Sequence, residues 1–129
     1  MPNFDALHYS PPAPVAQVVL RDIATSKLLP DVLLLIDTGA DMTLIPRAAV
    51  EKLGVKPQVG DEYEILGFDG TRSVAQSVEL DMVFLNKAYR GRYLLIEDDR
   101  GILGRDILCN VVLSLDGPGQ QWSESKADS

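Results

Sequence analysis

Apolar residues along this chain fall into short runs separated by turn residues, and few of the runs have helical spacing. Val15 to Leu20 reads as a first strand, followed by a polar connection from Arg21 to Lys27. Leu28 to Ile36 reads as a second, interrupted by Pro30. Proline cannot donate to a ladder, so Pro30 is expected at an edge or a bulge. The part from Val32 to Ile36 has no polar residue and no alternation, the pattern of a strand covered on both faces. It runs straight into Asp37-Thr38-Gly39-Ala40-Asp41. Aspartate is depleted in strands, and a charge at the end of a dry strand is costly unless paired. Gly39 is expected to let the backbone turn sharply beside that carboxylate.

Downstream, Arg47 to Gly54 predicts one or two helical turns, with Pro46 at the start and Gly54 at the end. Glu62 to Leu66 and Thr71 to Leu85 form the two arms of a hairpin around Gly67-Phe68-Asp69-Gly70. The second arm alternates, with Val74, Gln76, Val78, Leu80, Met82 and Phe84 on a mainly apolar face and Ala75, Ser77, Glu79, Asp81 and Val83 on a polar one. That pattern predicts a half-exposed strand. Asn86-Lys87 marks a turn, and Ala88 to Ile96 a further strand with a bulge expected at Gly91. Gly101-Ile102-Leu103-Gly104-Arg105-Asp106 predicts a short dry strand, a break at Gly104, and one helical turn from Arg105 to Cys109. Val111 to Asp116 is a late strand. Residues 1–12 read as an extended N-terminal tail, with His8 and Tyr9 at the surface. Residues 13–118 read as one domain, and 119–129 as a polar C-terminal tail able to lend a strand to an interface. The whole predicts an almost all-β domain.

Composition narrows the function classes. A length of 129 residues with 46% hydrophobic content suffices for a core without disulfides or metal. The single cysteine, Cys109, has no internal partner, and no metal-ligand spacing accompanies the lone His8. The reading is a reducing, cytoplasmic setting, with no secretory signal and no membrane partner. The net charge of −7 and the scattered Arg and Lys argue against nucleic acid. No phosphate loop is present, because Gly67-Phe68-Asp69-Gly70 lacks a following Lys-Ser/Thr. No cofactor is expected.

An apolar strand into Asp37-Thr38-Gly39-Ala40-Asp41, a following Thr43, a glycine-bearing hairpin, and then Ile102-Leu103-Gly104-Arg105-Asp106 resembles the retropepsins. These are the retroviral-type aspartic proteases, which have stand-alone bacterial relatives. The likeness spans residues 15 to 116. It implies an all-β, single-lobe fold with a flap hairpin and one or two short helices, closed as a homodimer. It also implies an aspartic endopeptidase acting on peptide or protein substrates. The chain has one Asp-Thr-Gly, so a two-fold axis would be needed to bring two Asp37 carboxylates together.

The resemblance assigns roles residue by residue. Asp37, Thr38 and Gly39 form the catalytic turn, with the Thr38 hydroxyl locking the two turns across the dimer. Gly39, Ala40 and Asp41 face substrate, as do Leu66, Gly67 and Phe68 of the flap. Asp41, Thr43, Arg105 and Asp106 brace the turn, with an Asp41–Arg105 ion pair expected. Ala40 lacks the hydroxyl that a serine there would direct at the carboxylate, so activity is expected to peak at mildly acidic pH. Two other readings stay open: a non-catalytic dimeric peptide-binding or scaffold domain of the same fold, and a subunit that pairs with a different chain.

Overall fold

The computed structural model describes residues 3–58, 62–66, 70 and 72–125. The chain runs β1 (Phe4–Asp5), β2 (Ala13–Arg21), β3 (Leu28–Ile36), β4 (Leu44–Pro46), α1 (Arg47–Leu53), β5 (Glu62–Leu66) and β6 (Arg72–Phe84). It continues with β7 (Lys87–Ile96), β8 (Gly101–Leu103), α2 (Arg105–Leu108), β9 (Leu113–Asp116) and β10 (Gln121–Glu124). The protein is therefore mostly β with two short helices, as the sequence pattern predicts.

Eight strands form one sheet in the order β1-β2-β3-β8-β4-β7-β6-β5, and a further pairing of β2 with β6 closes it into a ring. β3 lies parallel to β8, and β4 parallel to β7; the other pairs are antiparallel. The ring encloses Val18, Leu20, Leu34, Ile45, Leu80 and Leu103, all with no exposed surface. Each such aliphatic side chain contributes about 1.5–3 kcal/mol relative to an exposed position. β9 and β10 form a separate two-stranded hairpin.

The local signals act as chemistry requires. Pro30 and Asp31 of β3 together oppose Val19 of β2, where the register shifts, and Asp31 takes φ 61°. Pro30 thus sits at a bulge, where no ladder bond is asked of it. α1 starts after Pro46 and stops at Gly54, whose φ of 84° lets its N–H cap the carbonyls of Val50 and Glu51. Leu85 and Asn86 both adopt positive φ in the two-residue turn between β6 and β7.

Two expectations are corrected. The register of β6 with β7 runs unbroken through Leu80↔Gly91, so Gly91 is not a bulge. The polar face of β6 is not simply exposed: Ser77 and Asp81 are both buried. Asp81 is covered because β2 and β7 each aim an arginine at it. Arg21 Nε and Nη2 donate to Asp81 Oδ2 at 3.0 and 2.9 Å, and Arg90 Nε donates to Oδ1 at 2.9 Å.

The terminal segments are also held. Phe4–Asp5 pairs with β2, the Phe4 N–H donates to the Gln120 carbonyl at 3.0 Å, and His8 Nδ1 lies 2.8 Å from Asp5 Oδ2. Trp122 of β10 is 4% exposed, tilts against Phe84 at 6.0 Å between ring centroids, and donates Nε1–H to the Val15 carbonyl at 2.8 Å. One aromatic side chain in a polar stretch carries no period, so its burial could not be read from pattern.

Two stability outcomes follow from these contacts. Trp122→Ala removes a filled core position and is expected to cost about 3–5 kcal/mol in denaturant unfolding; a change below 1 kcal/mol would show that β10 does not hold the core. For Asp81, hydrogen bonds from Arg90 and then Arg21 hold the carboxyl below its ordinary value. A depressed folded value means the stabilisation is complete above the unfolded value, about pH 4, and is lost as pH falls through the folded one. Asp81→Asn is expected to lower stability at neutral pH and to flatten the acid limb of the stability–pH curve. An unchanged acid limb would count against the arginine clamp.

Candidate active site

β3 ends at Ile36, and the next residue leaves the sheet while still tied to it. The Asp37 N–H donates to the Leu103 carbonyl of β8 at 3.1 Å. The chain then turns: Ala40 N–H returns to the Asp37 carbonyl at 3.2 Å, and Gly39 N–H donates to Asp37 Oδ1 at 2.9 Å. Asp37 is half-buried, whereas Thr38, Gly39 and Asp41 are exposed. The carboxylate thus stands at the rim of the core with one oxygen oriented by a backbone amide.

Gly39 is required for a different reason from the one the sequence suggests. Its φ is not left-handed, but a Cβ there would lie 3.1 Å from Asp37 Oδ1. Absence of a side chain lets the amide approach its own acceptor. Two further glycines serve the same turn from the other side. A Cβ on Gly101 would meet the Leu44 carbonyl oxygen at 2.2 Å and Leu34 Cδ2 at 2.5 Å. One on Gly104 would meet the Met42 carbonyl at 2.7 Å and the Ala40 oxygen at 3.0 Å. Neither contact is possible for a real side chain, so the segment from Gly101 to Gly104 lies against the 34–44 segment only as glycine.

Hydrogen bonds stitch the two segments together. Thr43 is fully buried; its Oγ1 donates to Asp106 Oδ1 at 2.6 Å and accepts the Gly104 N–H at 3.0 Å. The Thr43 N–H donates to Asp106 Oδ2 at 3.1 Å, and Ile107 N–H donates to Oδ1 at 2.9 Å. The Asp106 carboxylate therefore accepts from the first turn of α2 and from the strand entering β4. Arg105 N–H donates to the Ala40 carbonyl at 2.9 Å, and its Nη1 donates to the Thr38 carbonyl at 2.7 Å.

The expected Asp41–Arg105 ion pair is not formed. The Arg105 backbone is already fixed to Ala40, which sets its guanidinium against the turn at Thr38, and Asp41 stays exposed. An exposed ion pair is worth only about 0–1 kcal/mol, so a carbonyl already held in place is the better acceptor. The structure thus brings Asp37, Thr38, Gly39, Ala40, Thr43, Arg105 and Asp106 into one network, with Asp41 beside it. Leu66 closes β5 opposite Arg72 of β6. Gly67 and Phe68, the rest of the expected flap tip, lie outside the described residues. Sequence reasoning did not single out the Leu103 carbonyl as the anchor of Asp37. The Gly-Ile-Leu-Gly spacing, two glycines bracketing a dry pair, was the available signal for two backbones crossing closely.

A sequence profile for a family described as aspartyl protease matches residues 29–107, from β3 into α2. Among solved structures, the EIAV protease complexed with the inhibitor HBY-793 is similar at a TM-score of 0.58 and 25% identity. The match covers 82% of this chain and 91% of that one. Comparison with curated protein sequences finds no match.

Thr43→Val keeps the shape of the buried side chain and deletes its hydroxyl. The Gly104 N–H then loses its acceptor, and Asp106 loses its shortest donor. The expected cost is about 1–3 kcal/mol of folding stability, with Thr43→Ser retaining most of it. Equal stability of Thr43→Val and the unaltered chain would show that these bonds do not hold the turn.

Proposed function

The chain belongs to the aspartyl protease family, and from that premise we propose that it is a homodimeric endopeptidase using one Asp37 carboxylate from each of two copies. The observation that carries this reading is the placement of Asp37: half-buried at a strand end, its Oδ1 oriented by the Gly39 amide, on a turn anchored to Leu103. Such a turn presents a carboxylate in a fixed direction, which positioned acid–base chemistry demands. The likeness to the EIAV protease supports the same reading.

The chemistry follows from two like charges held close. Carboxylates about 3 Å apart cannot both ionise, so the pair shares a proton. A water between them gives a proton to the ionised carboxylate as its oxygen attacks the scissile carbonyl carbon. The protonated carboxyl donates to the carbonyl oxygen, giving a tetrahedral diol. Return of a proton to the amide nitrogen lets the C–N bond break, releasing an amine and a carboxylic acid. In this reading Gly39, Ala40 and Asp41 line the substrate cleft, the hairpin tip at Leu66, Gly67 and Phe68 closes over it, and Arg105 fixes the Thr38 carbonyl so that the turn does not yield. Catalysis in a reducing, cytoplasmic setting fits the single cysteine.

The test is cleavage of a peptide library by the dimeric chain and by Asp37→Asn. The unaltered chain is expected to cleave, and Asp37→Asn to lose roughly 10²–10⁴-fold in rate. Because Ala40 gives the pair no hydroxyl donor, activity is expected to peak at roughly pH 5 to 6, above the ~4.7 upper value of the pepsin pair. A peak below pH 4 would remove the Ala40 argument. A well-formed dimer that cleaves nothing would establish instead the peptide-binding or scaffold reading.

A further inference from the structure

Strand β7 is covered unevenly on its two sides. β6 pairs with it from Lys87 to Leu94, whereas β4 meets it only over Leu94–Ile96. The Leu94 N–H donates to the Thr43 carbonyl at 3.3 Å, so the backbone groups of Leu94 point away from β6. In an antiparallel ladder that direction recurs at every second residue. Ala88 and Arg90 therefore turn their N–H and C=O groups to the same side, where, among the described residues, no strand lies beside them. An unpaired strand edge is a template for pairing with another extended chain.

A groove of about 420 Å³ runs along this edge, lined by residues 88–93 of β7 and by Asp106 and Ile107 of α2. Its two sides differ in chemistry. On the core side, Tyr93 is buried against Gly91 and donates its hydroxyl to the Tyr89 carbonyl at 2.7 Å, so this wall is aromatic with its polar atom engaged. Asp106 beside it already accepts the Thr43 hydroxyl and the N–H groups of Thr43 and Ile107. A further carboxylate is repelled there. On the outward side stands Arg90, whose Nε and Nη2 are held by Asp81. Its side chain is 61% exposed, yet fixed in direction by that bond. Arg92 follows two residues on, exposed and on the same face. Arg21 of β2 reaches Asp81 from the far side. A chain whose net charge is −7 thus gathers arginines on one outward face.

We propose that this edge receives an extended segment of a partner protein, added as a strand to β7, with acidic side chains at alternate positions. The backbones of Ala88 and Arg90 supply the hydrogen bonds, and the two walls of the groove supply the choice of sequence. Every second side chain of the added strand stands beside Arg90 and Arg92, whose guanidinium groups match a carboxylate. The side chains between them lie against Tyr93 and Ile107, where an apolar group fits and the Asp106 carboxylate disfavours an acid. Charged edges commonly serve to prevent pairing. Here the charge does so selectively: a second β7 across a two-fold axis would set arginines against arginines, while an acidic strand meets its complement. The site uses neither Asp37 nor the turn that carries it, so it stands independently of the peptidase reading.

The probe is a peptide of about six residues, the usual strand length, alternating glutamate with valine. It is compared with a peptide carrying lysine in place of glutamate, and with one of the same composition whose glutamates are grouped. Binding is followed by fluorescence anisotropy and amide exchange, on the unaltered chain and on Asp37→Asn, so that cleavage cannot hide it. The alternating peptide is expected to bind, more weakly as salt rises, and to protect the Ala88 and Arg90 amides. The lysine peptide is expected not to bind, and the grouped one to bind at least about tenfold more weakly. Ala88→Pro removes an outward N–H at an edge, where proline is tolerated, and Arg92→Glu reverses a charge; each is expected to weaken binding by roughly tenfold. Equal binding of the alternating and grouped peptides would reduce the site to charge alone and overturn strand addition. Binding of none of the peptides, or an affinity indifferent to both variants, overturns the site. So does protection of other amides while those of Ala88 and Arg90 exchange unchanged. Protection of these two amides that rises with protein concentration without peptide overturns it as well, and would assign the edge to a second copy. None of these outcomes bears on whether Asp37→Asn abolishes cleavage, so the two readings fail separately.

Discussion

The Asp37 turn depends on two backbones lying closer together than side chains would allow. Gly101 and Gly104 bring the segment after β7 to within contact of Leu34, Leu44, Met42 and Ala40. About 60 residues separate the two segments in the chain. The entropy of closing so long a loop grows only slowly with its length, so it is not what limits the structure. Steric fit at the crossing is the limit, and glycine satisfies it. Once the backbones are in place, Thr43 and Asp106 tie the crossing with a 2.6 Å hydrogen bond whose hydroxyl end is fully buried, where an unpaired group would be costly. The turn bearing Asp37 is therefore clamped from below by Leu103 and from beside by Arg105. An acid built on so few degrees of freedom loses little entropy when it acts.

The surrounding ring has a polar device of its own. Arg21 of β2, Asp81 of β6 and Arg90 of β7 meet across three neighbouring strands, with Asp81 only 2% exposed. A slip of one residue in β6 would turn Asp81 toward the enclosed apolar core and Leu80 outward. Moving an aspartate into that core without its arginines would be far more costly than the clamp is stabilising. The triad therefore acts mainly against wrong registers. It lies where β2 meets β6, the pairing that closes the ring, so it secures the one contact on which closure depends.

Much of this was legible in residues with a local physical meaning. The dry run Val32 to Ile36 ending in Asp37, the Pro46 and Gly54 bounds of α1, the bulge at Pro30 and the short helix after Gly104 each follow from backbone chemistry within a few residues. That Thr43 and Asp106 brace the turn came from the resemblance; that they do so by bonding to each other was not legible, since nothing local joins residues 63 apart. The failures share a cause. Buried Asp81 read as solvent-facing because alternation reports which side of a strand a residue takes, not what covers that side. The Asp41–Arg105 pair was expected from the resemblance, whereas the arginine's direction is set by its backbone bond to Ala40. Gly39 was read as a φ-permitting residue, but its role is close approach to a carboxylate. Phe4 and Trp122 looked like parts of tails because the hydrogen bonds that tie the two ends of the chain, Phe4 to Gln120 and Trp122 to Val15, join residues more than a hundred apart.

On the proposed reading, a single chain leaves the Asp37 turn half-finished in chemical terms. In one chain the Asp37 carboxylate accepts the Gly39 amide and stands half-buried at the rim of the core. The power to act as acid and base at once would come from a second carboxylate brought near, which is a property of the assembly. On the two-copy reading, chemistry and association therefore share one equilibrium, and dilution silences the chain without altering any residue. The shape of the turn, by contrast, is held within one chain through Leu103, Ala40, Thr43 and Arg105, so a second copy would add a carboxylate and not the turn itself.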